Sequence, residues 1–434
     1  MEEQRIGMMY LNLFRRWLAK VWDGMFPRGF RRSPALPMIV IALLILLPIT
    51  VWILHRRGRF SVVKREIQGE TQGAPPAGPR PGGMDPMVLK RIQTAGSNMP
   101  EFRSATLLPG LGMEVLQITA FVPSKGEVEL LAAPSVQNIA DGTTPVRLGP
   151  NDRWGAIEVP WSGLLTGILS PVGTTFRTTW RNRTIEAPTS VVGRGVGEGG
   201  MLAGLAADST SMSPEPDGGV ASAVFKGTAF DDHWASRNDV TVTVTLGPRT
   251  IDLKVMVKNV GDQPEPMGIG WHPRFRIPSG NRDNAELRLP NGDQLELADR
   301  ARDIPSGKFA PAGLAVTRFQ AHPSVLGMES IDESLVHLKP GLMDAGSSAE
   351  VRDPVSEIGL RMTAVSDNTR ELRVTSLAGS NFVGIGMQTN YDDPLGKEWS
   401  GTDTPIATLL PGDSVEWKVR LEIFPISSRL MVGH

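Results

Sequence analysis

Ser33–Leu54, SPALPMIVIALLILLPITVWIL, is a run of 22 residues without a charge, and no other stretch restricts the fold of this chain as strongly. At about 1.5 Å of rise per residue, a helix of that length crosses a hydrocarbon core of roughly 30 Å. Pro37 sits near its start, where a missing amide proton costs little. Pro48 lies inside and predicts a kink toward the far end. Trp52 falls at the depth of a headgroup layer. A cleaved signal peptide starts closer to Met1 and ends at small residues. Here 32 residues precede the run, and Ile53-Leu54-His55-Arg56 is no cleavage site. The reading is a retained single transmembrane helix over 33–54.

Residues 1–32 carry Tyr10, Phe14, Trp17, Leu18, Val21, Trp22 and Met25 at helical spacing, with Arg15, Arg16 and Lys20 between them. That pattern predicts an amphipathic helix in the membrane interface, or one packed on a membrane partner. Seven basic residues precede the span (Arg5, Arg15, Arg16, Lys20, Arg28, Arg31, Arg32) and five follow it closely (Arg56, Arg57, Arg59, Lys64, Arg65). The excess places the N-terminus in the cytoplasm. The expectation is an inner or plasma membrane protein whose large domain is periplasmic or extracellular.

Residues 55–88 read as a basic stretch and then a Pro/Gly-rich linker, ending in QGETQGAPPAGPRPGGMDPM. From 89 to 434 the pattern changes to short β-forming runs between Gly, Pro, Asn and Asp clusters. Val240–Leu246 alternates with a period of two, and 251–257, 286–289, 371–377 and 415–424 behave alike. With 47 glycines and 35 prolines spacing such runs, the expected fold is an all-β sandwich forming one domain.

Lys+Arg total 45 against 46 Asp+Glu, which gives none of the basic excess of a nucleic-acid-binding protein. No cysteine is present, so disulfides, thiolate metal sites and a cysteine nucleophile are excluded. The six histidines form no metal-binding pair, and no nucleophile elbow or P-loop occurs, so neither a metal nor a cofactor is expected. The glycine-rich segment 193–200 reads as a loop. One segment stands out: Met267-Gly-Ile-Gly-Trp-His-Pro-Arg-Phe275 sets an aromatic, a histidine and an arginine side by side. Aromatic faces stack on sugar rings, and a histidine beside them can donate to a ring or hydroxyl oxygen. A histidine held in the sandwich core is the alternative.

GIGWHPRF resembles the "GWHPYF" or "NHPYF" segment of the aldose 1-epimerase (galactose mutarotase) superfamily. Other pieces follow in that family's order. Glu329–Leu335 (ESIDESL) is similar to its "lDdvF" segment, Asn381–Thr389 (NFVGIGMQT) to its "fvclEpQt" strand, and Leu410-Pro-Gly-Asp413 to its closing turn. The pieces span about 105–425. The resemblance implies a galactose mutarotase-like β-supersandwich that binds sugars in a groove on one sheet, here preceded by the amphipathic and transmembrane helices. It also implies His272 as general acid, with Trp271, Arg274 and Gln388 binding substrate. Aligned on Gln388, the family's glutamate base falls on Gly386, which cannot accept a proton. The family's second histidine falls on Ala203, and its early arginine falls in 160–165, where none occurs. Asp392 and Asp393 are the nearest substitutes for the base.

These features predict a membrane-anchored, non-catalytic accessory subunit. Its partners would be the bilayer and integral membrane proteins, an energy-transducing complex being one such host. A carbohydrate-binding envelope protein and an active aldose 1-epimerase with a relocated base are the alternatives.

Overall fold

The computed structural model describes residues 78–91, 98–141, 155–342, 344–400 and 406–426. Among them no helix is long and apolar enough to cross a membrane. The amphipathic segment 1–32 and the span 33–54 lie outside the described residues.

Strands dominate, and two large antiparallel sheets form the body. The nine-stranded sheet runs in the order Ser209–Glu215, Gly218–Thr228, Asn238–Leu246, Thr250–Asn259, Ser414–Pro425, Ile358–Ala364, Ser348–Asp353, Glu286–Arg288, Ser324–Val325. Its alternation is the one visible in the sequence. Val240, Val242, Val244 and Leu246 point inward, and the threonines between them do not. The eight-stranded sheet runs Ile304–Pro311, Asn291–Asp299, Ile331–Lys339, Glu371–Ser376, Phe382–Gln388, Gly270–Trp271, Ile157–Glu158, with Arg274–Arg276 also paired to Phe382–Gln388. One hydrophobic cluster draws on both, including Val255 and Trp417 from the first sheet and Val374, Ile385 and Met387 from the second. The sheets therefore share one core. Smaller sheets of four, three and two strands complete the unit.

The compact unit begins at Gly78 rather than at 89. Pro81 is buried, and Met87–Lys90 pairs antiparallel with 104–107. The end of the stretch read as a linker thus belongs to the domain. The segment read as a glycine-rich loop likewise contains a short strand, Val196–Glu198, paired with Leu164–Thr166.

Candidate functional site

The site lies on the outer face of the eight-stranded sheet and is organised by one strand, Phe382–Gln388. Successive side chains of a strand take opposite faces. Val383, Ile385 and Met387 enter the core, so Gly384, Gly386 and Gln388 take the other face. On one side Arg373 is paired with Gly386 and Thr375 with Gly384. On the other, Gly270 pairs with Gln388, Trp271 with Met387, and Arg274 with Gly384. His272 and Pro273 lie between these pairs, and Ile385 N–H donates to the Pro273 carbonyl at 3.1 Å. The His272 ring thereby rests on Gly386, where a Cβ would lie 2.5 Å from its Cγ and Nδ1.

Beside the ring is an open groove lined by Glu158, Glu198, His272, Arg274, Asp303 and Arg373, among others. Glu158 reaches it from the next strand, where it pairs with Gly270 and so shares a face with Gln388. Its Oε2 lies 3.8 Å from His272 Nε2. Ser162 sits between them. Its hydroxyl is 2.7 Å from Glu158 Oε2, 3.0 Å from Gln388 Oε1 and 3.3 Å from His272 Nε2. Gly163 N–H also donates to Glu158 Oε2 at 2.9 Å. Gln388 and Asn390 close the network from below: Gln388 Nε2 donates to the Asn390 carbonyl, and Asn390 Nδ2 to the Ser162 carbonyl.

A charged layer lies behind the groove. Arg373 contacts Asp303 at 2.7 Å, Asp332 at 3.0 Å and Asp392 at 3.5 Å. Asp392 is buried and accepts from Leu164 N–H, while its own N–H donates to Glu371. Burial raises the Asp392 carboxyl, against the pull of Arg373. Burial and then Asp392 raise Glu371 well above the usual carboxylate range. For Arg373 the cost of burial is outweighed by its three aspartates, which hold it firmly charged. Asp393 accepts from Thr166 N–H at 2.7 Å, and burial raises it to about 7. Among the described residues no group of His, Asp and Glu is arranged to hold a metal ion.

The residues expected from the sequence separate accordingly. His272 and Arg274 face the groove, the latter stacked 5.1 Å over Phe382. Trp271 does not. Its pairing with Met387 turns it to the core, where it is 1% exposed and Nε1 donates to the Gly155 carbonyl. Gln388 has the right face but is 1% exposed, bonded to the Ser162 hydroxyl and the Asn390 carbonyl. Asp392 and Asp393 are buried hydrogen-bond acceptors for the strand Leu164–Thr166, not a base in the groove. Gly386 presents bare backbone. Glu158, Ser162 and Glu198 were not anticipated. Only Glu158 left a trace in the sequence, as a lone charge inside the apolar run 155–161.

Solved structures similar to this chain include a galactose mutarotase-like protein from Clostridium acetobutylicum. It is 14% identical, covers 79% of this chain and 99% of its own, and has a TM-score of 0.61. A GalM/aldose epimerase homologue from C. elegans is 12% identical over 79% of this chain and 99% of its own, with a TM-score of 0.58. A galactose mutarotase-like protein from Lactobacillus casei is 14% identical over 77% and 99%, with a TM-score of 0.52. No protein-family model matches the sequence, and no curated protein does.

Proposed function

We propose that this chain, whose fold is galactose mutarotase-like, uses its groove to hold a carbohydrate and does not interconvert the sugar's anomers. Opening a pyranose requires an acid at the ring oxygen and a base at the anomeric hydroxyl, and the two groups must flank the sugar. His272 supplies the acid type. The position facing it on the central strand is Gly386, and the His272 ring fills the space a side chain would need. The nearest carboxylate is Glu158, 3.8 Å from His272 Nε2. No sugar ring fits between groups that close. Bare backbone at Gly386, where the central strand meets His272, is the observation that carries the reading. A groove lined by carboxylates, guanidinium groups and an imidazole still offers hydroxyl groups both acceptors and donors.

We propose further that the domain is tethered to a membrane as an accessory subunit, which the uncharged run 33–54 supports. The functional test pairs polarimetry with calorimetry on the purified full-length chain. With α-D-glucose and α-D-galactose, optical rotation should relax at the rate of buffer. Titration with a panel of mono- and oligosaccharides should give heat that His272→Ala abolishes. A rate above buffer that falls in His272→Ala would restore enzymatic function and single out Glu198 and Asp303, the other carboxylates lining the groove, for replacement next. No heat with any sugar would remove the carbohydrate reading.

A further inference from the structure

Sheets end in strands whose outer backbone groups face water, and proteins blunt such edges with short strands, charges, prolines or bulges. Most edges described in this chain follow that rule. Ser324–Val325, Ile157–Glu158 and Ile168–Leu169 have two residues each. Gly126–Glu129 carries two glutamates. Ile304–Pro311 has Pro305, Lys308 and Pro311 and pairs through register shifts. Ser209–Glu215 carries such devices only at its far end, as Pro214 and Glu215. All seven of its residues are exposed, it pairs without a shift from Ser209↔Val224 to Glu215↔Gly218, and it is uncharged until Glu215.

The direction of its free groups follows from two observations. The Val224 carbonyl, opposite Ser209, accepts from Asp208 N–H, so it points toward this strand. Pro214, opposite Gly219, has no N–H to offer its partner. In an antiparallel pair, positions alternate between bonded inward and facing outward. Ser209, Ser211, Ser213 and Glu215 are therefore bonded within the sheet, while Thr210, Met212 and Pro214 turn their main chains outward.

We propose that this edge pairs antiparallel with the same edge of a second copy of the chain, on a two-fold axis through Met212. The edge is self-complementary. Met212 meets Met212, where each N–H donates to the other's carbonyl. Thr210 N–H donates to the Pro214 carbonyl of the second copy, so the missing proline N–H removes one bond on each side without blocking the approach. Ser211 faces Ser213, and Glu215 faces Ser209, so no like charges oppose each other. The nine-stranded sheet continues through the axis into its copy. An isologous contact of this kind closes at two subunits, which an edge paired to an unrelated peptide does not require.

The absence of cysteine makes the test direct. In the purified full-length chain, Met212→Cys treated with a short bismaleimide should cross-link to dimer at least tenfold more than Leu314→Cys, which is 90% exposed on a helix away from this edge. Thr210→Pro removes only an outward N–H. Added to Met212→Cys, it should cut cross-linking several-fold and leave the thermal melt unchanged. Should Thr210→Pro disturb folding, Ser211→Lys with Ser213→Lys, both exposed, places like charges across the axis and should cut cross-linking equally. Cross-linking of Met212→Cys no better than that of Leu314→Cys overturns the proposal. So does cross-linking that survives the lysines.

Discussion

A methyl group on Gly386 would come within 2.5 Å of the His272 ring, which leaves the ring only one way to yield, off the sheet and into the groove. Gly386→Ala is therefore expected to cost about 1–3 kcal/mol, as overpacking does, and to weaken any sugar heat with it. A denaturant midpoint equal to wild type would mean the ring is not seated as described. A second residue carries a pH dependence of its own. Glu265 is wholly buried and accepts from Asn238 Nδ2 at 3.0 Å. Its Oε1 and the neighbouring Asn238 Oδ1 are both buried acceptors without a donor. Burial raises this carboxyl to about 7 from 4.5. The folded state therefore favours the protonated form. Its contribution is fully present below pH 4.5, falls as pH rises through about 7, and is gone above that. The change amounts to roughly 3 kcal/mol. Denaturant unfolding at pH 5 and pH 8 should show Glu265→Gln reducing the difference between the two by about that amount, and an unchanged difference would contradict the assignment.

Strands of the nine-stranded sheet are tied on their outer face by charges in register. Arg288, Glu350 and Arg361 lie abreast on three neighbouring strands. Glu350 Oε1 is 3.2 Å from Arg288 Nη1 and 2.8 Å from Arg361 Nη2, and Oε2 is 2.6 Å from Arg352 Nη2. Burial alone would raise this carboxyl, but Arg352 and Arg361 outweigh it and hold it below its usual 4.5. Glu350→Gln leaves three guanidinium groups facing one another. The guanidinium groups are only partly exposed, so the expected loss is about 3 kcal/mol, at the low end for a broken buried pair. The stability that wild type owes to Glu350 is present above pH 4.5 and disappears as pH falls below it, so acid titration of the midpoint should be flatter in the variant. Strands like these were legible because half-buried strands write their faces into sequence, as Val240–Leu246 does. The site was legible only where a single segment carries it. His272 stands out in GIGWHPRF, but the direction of Trp271 is decided by its pairing with Met387, more than a hundred positions away. Glu158 sits in a two-residue strand whose neighbours Ile157 and Val159 are apolar, and its partner Ser162 only becomes one when the chain turns back. Local periodicity holds no record of such cross-strand registers.

At the scale of the whole chain, the boundary of the folded unit decides what can be separated. The strand Met87–Lys90 adds Leu89 to the main core, and Arg91, its side chain 1% exposed, donates to the Phe102 carbonyl at 2.9 Å and the Asp217 carbonyl at 3.0 Å. A fragment 78–434 keeps these contacts and should melt cooperatively, with the midpoint of the full-length domain. A fragment 92–434 loses a core leucine and the Arg91 guanidinium that donates to two main-chain carbonyls, and the combined loss is on the order of 4 kcal/mol. Equal melting of the two fragments would put the boundary beyond residue 91. The longer fragment, set against the full-length chain, tests the tether. The apolar run 33–54 lies wholly within 1–77. After alkaline carbonate washing, the full-length chain should stay with the membrane pellet, because a spanning helix is not released by charge or pH. The fragment 78–434 should enter the supernatant. If that fragment also stays in the pellet, its own surface holds the membrane, and the exposed edge and groove would have to be examined as lipid contacts before any partner protein is sought.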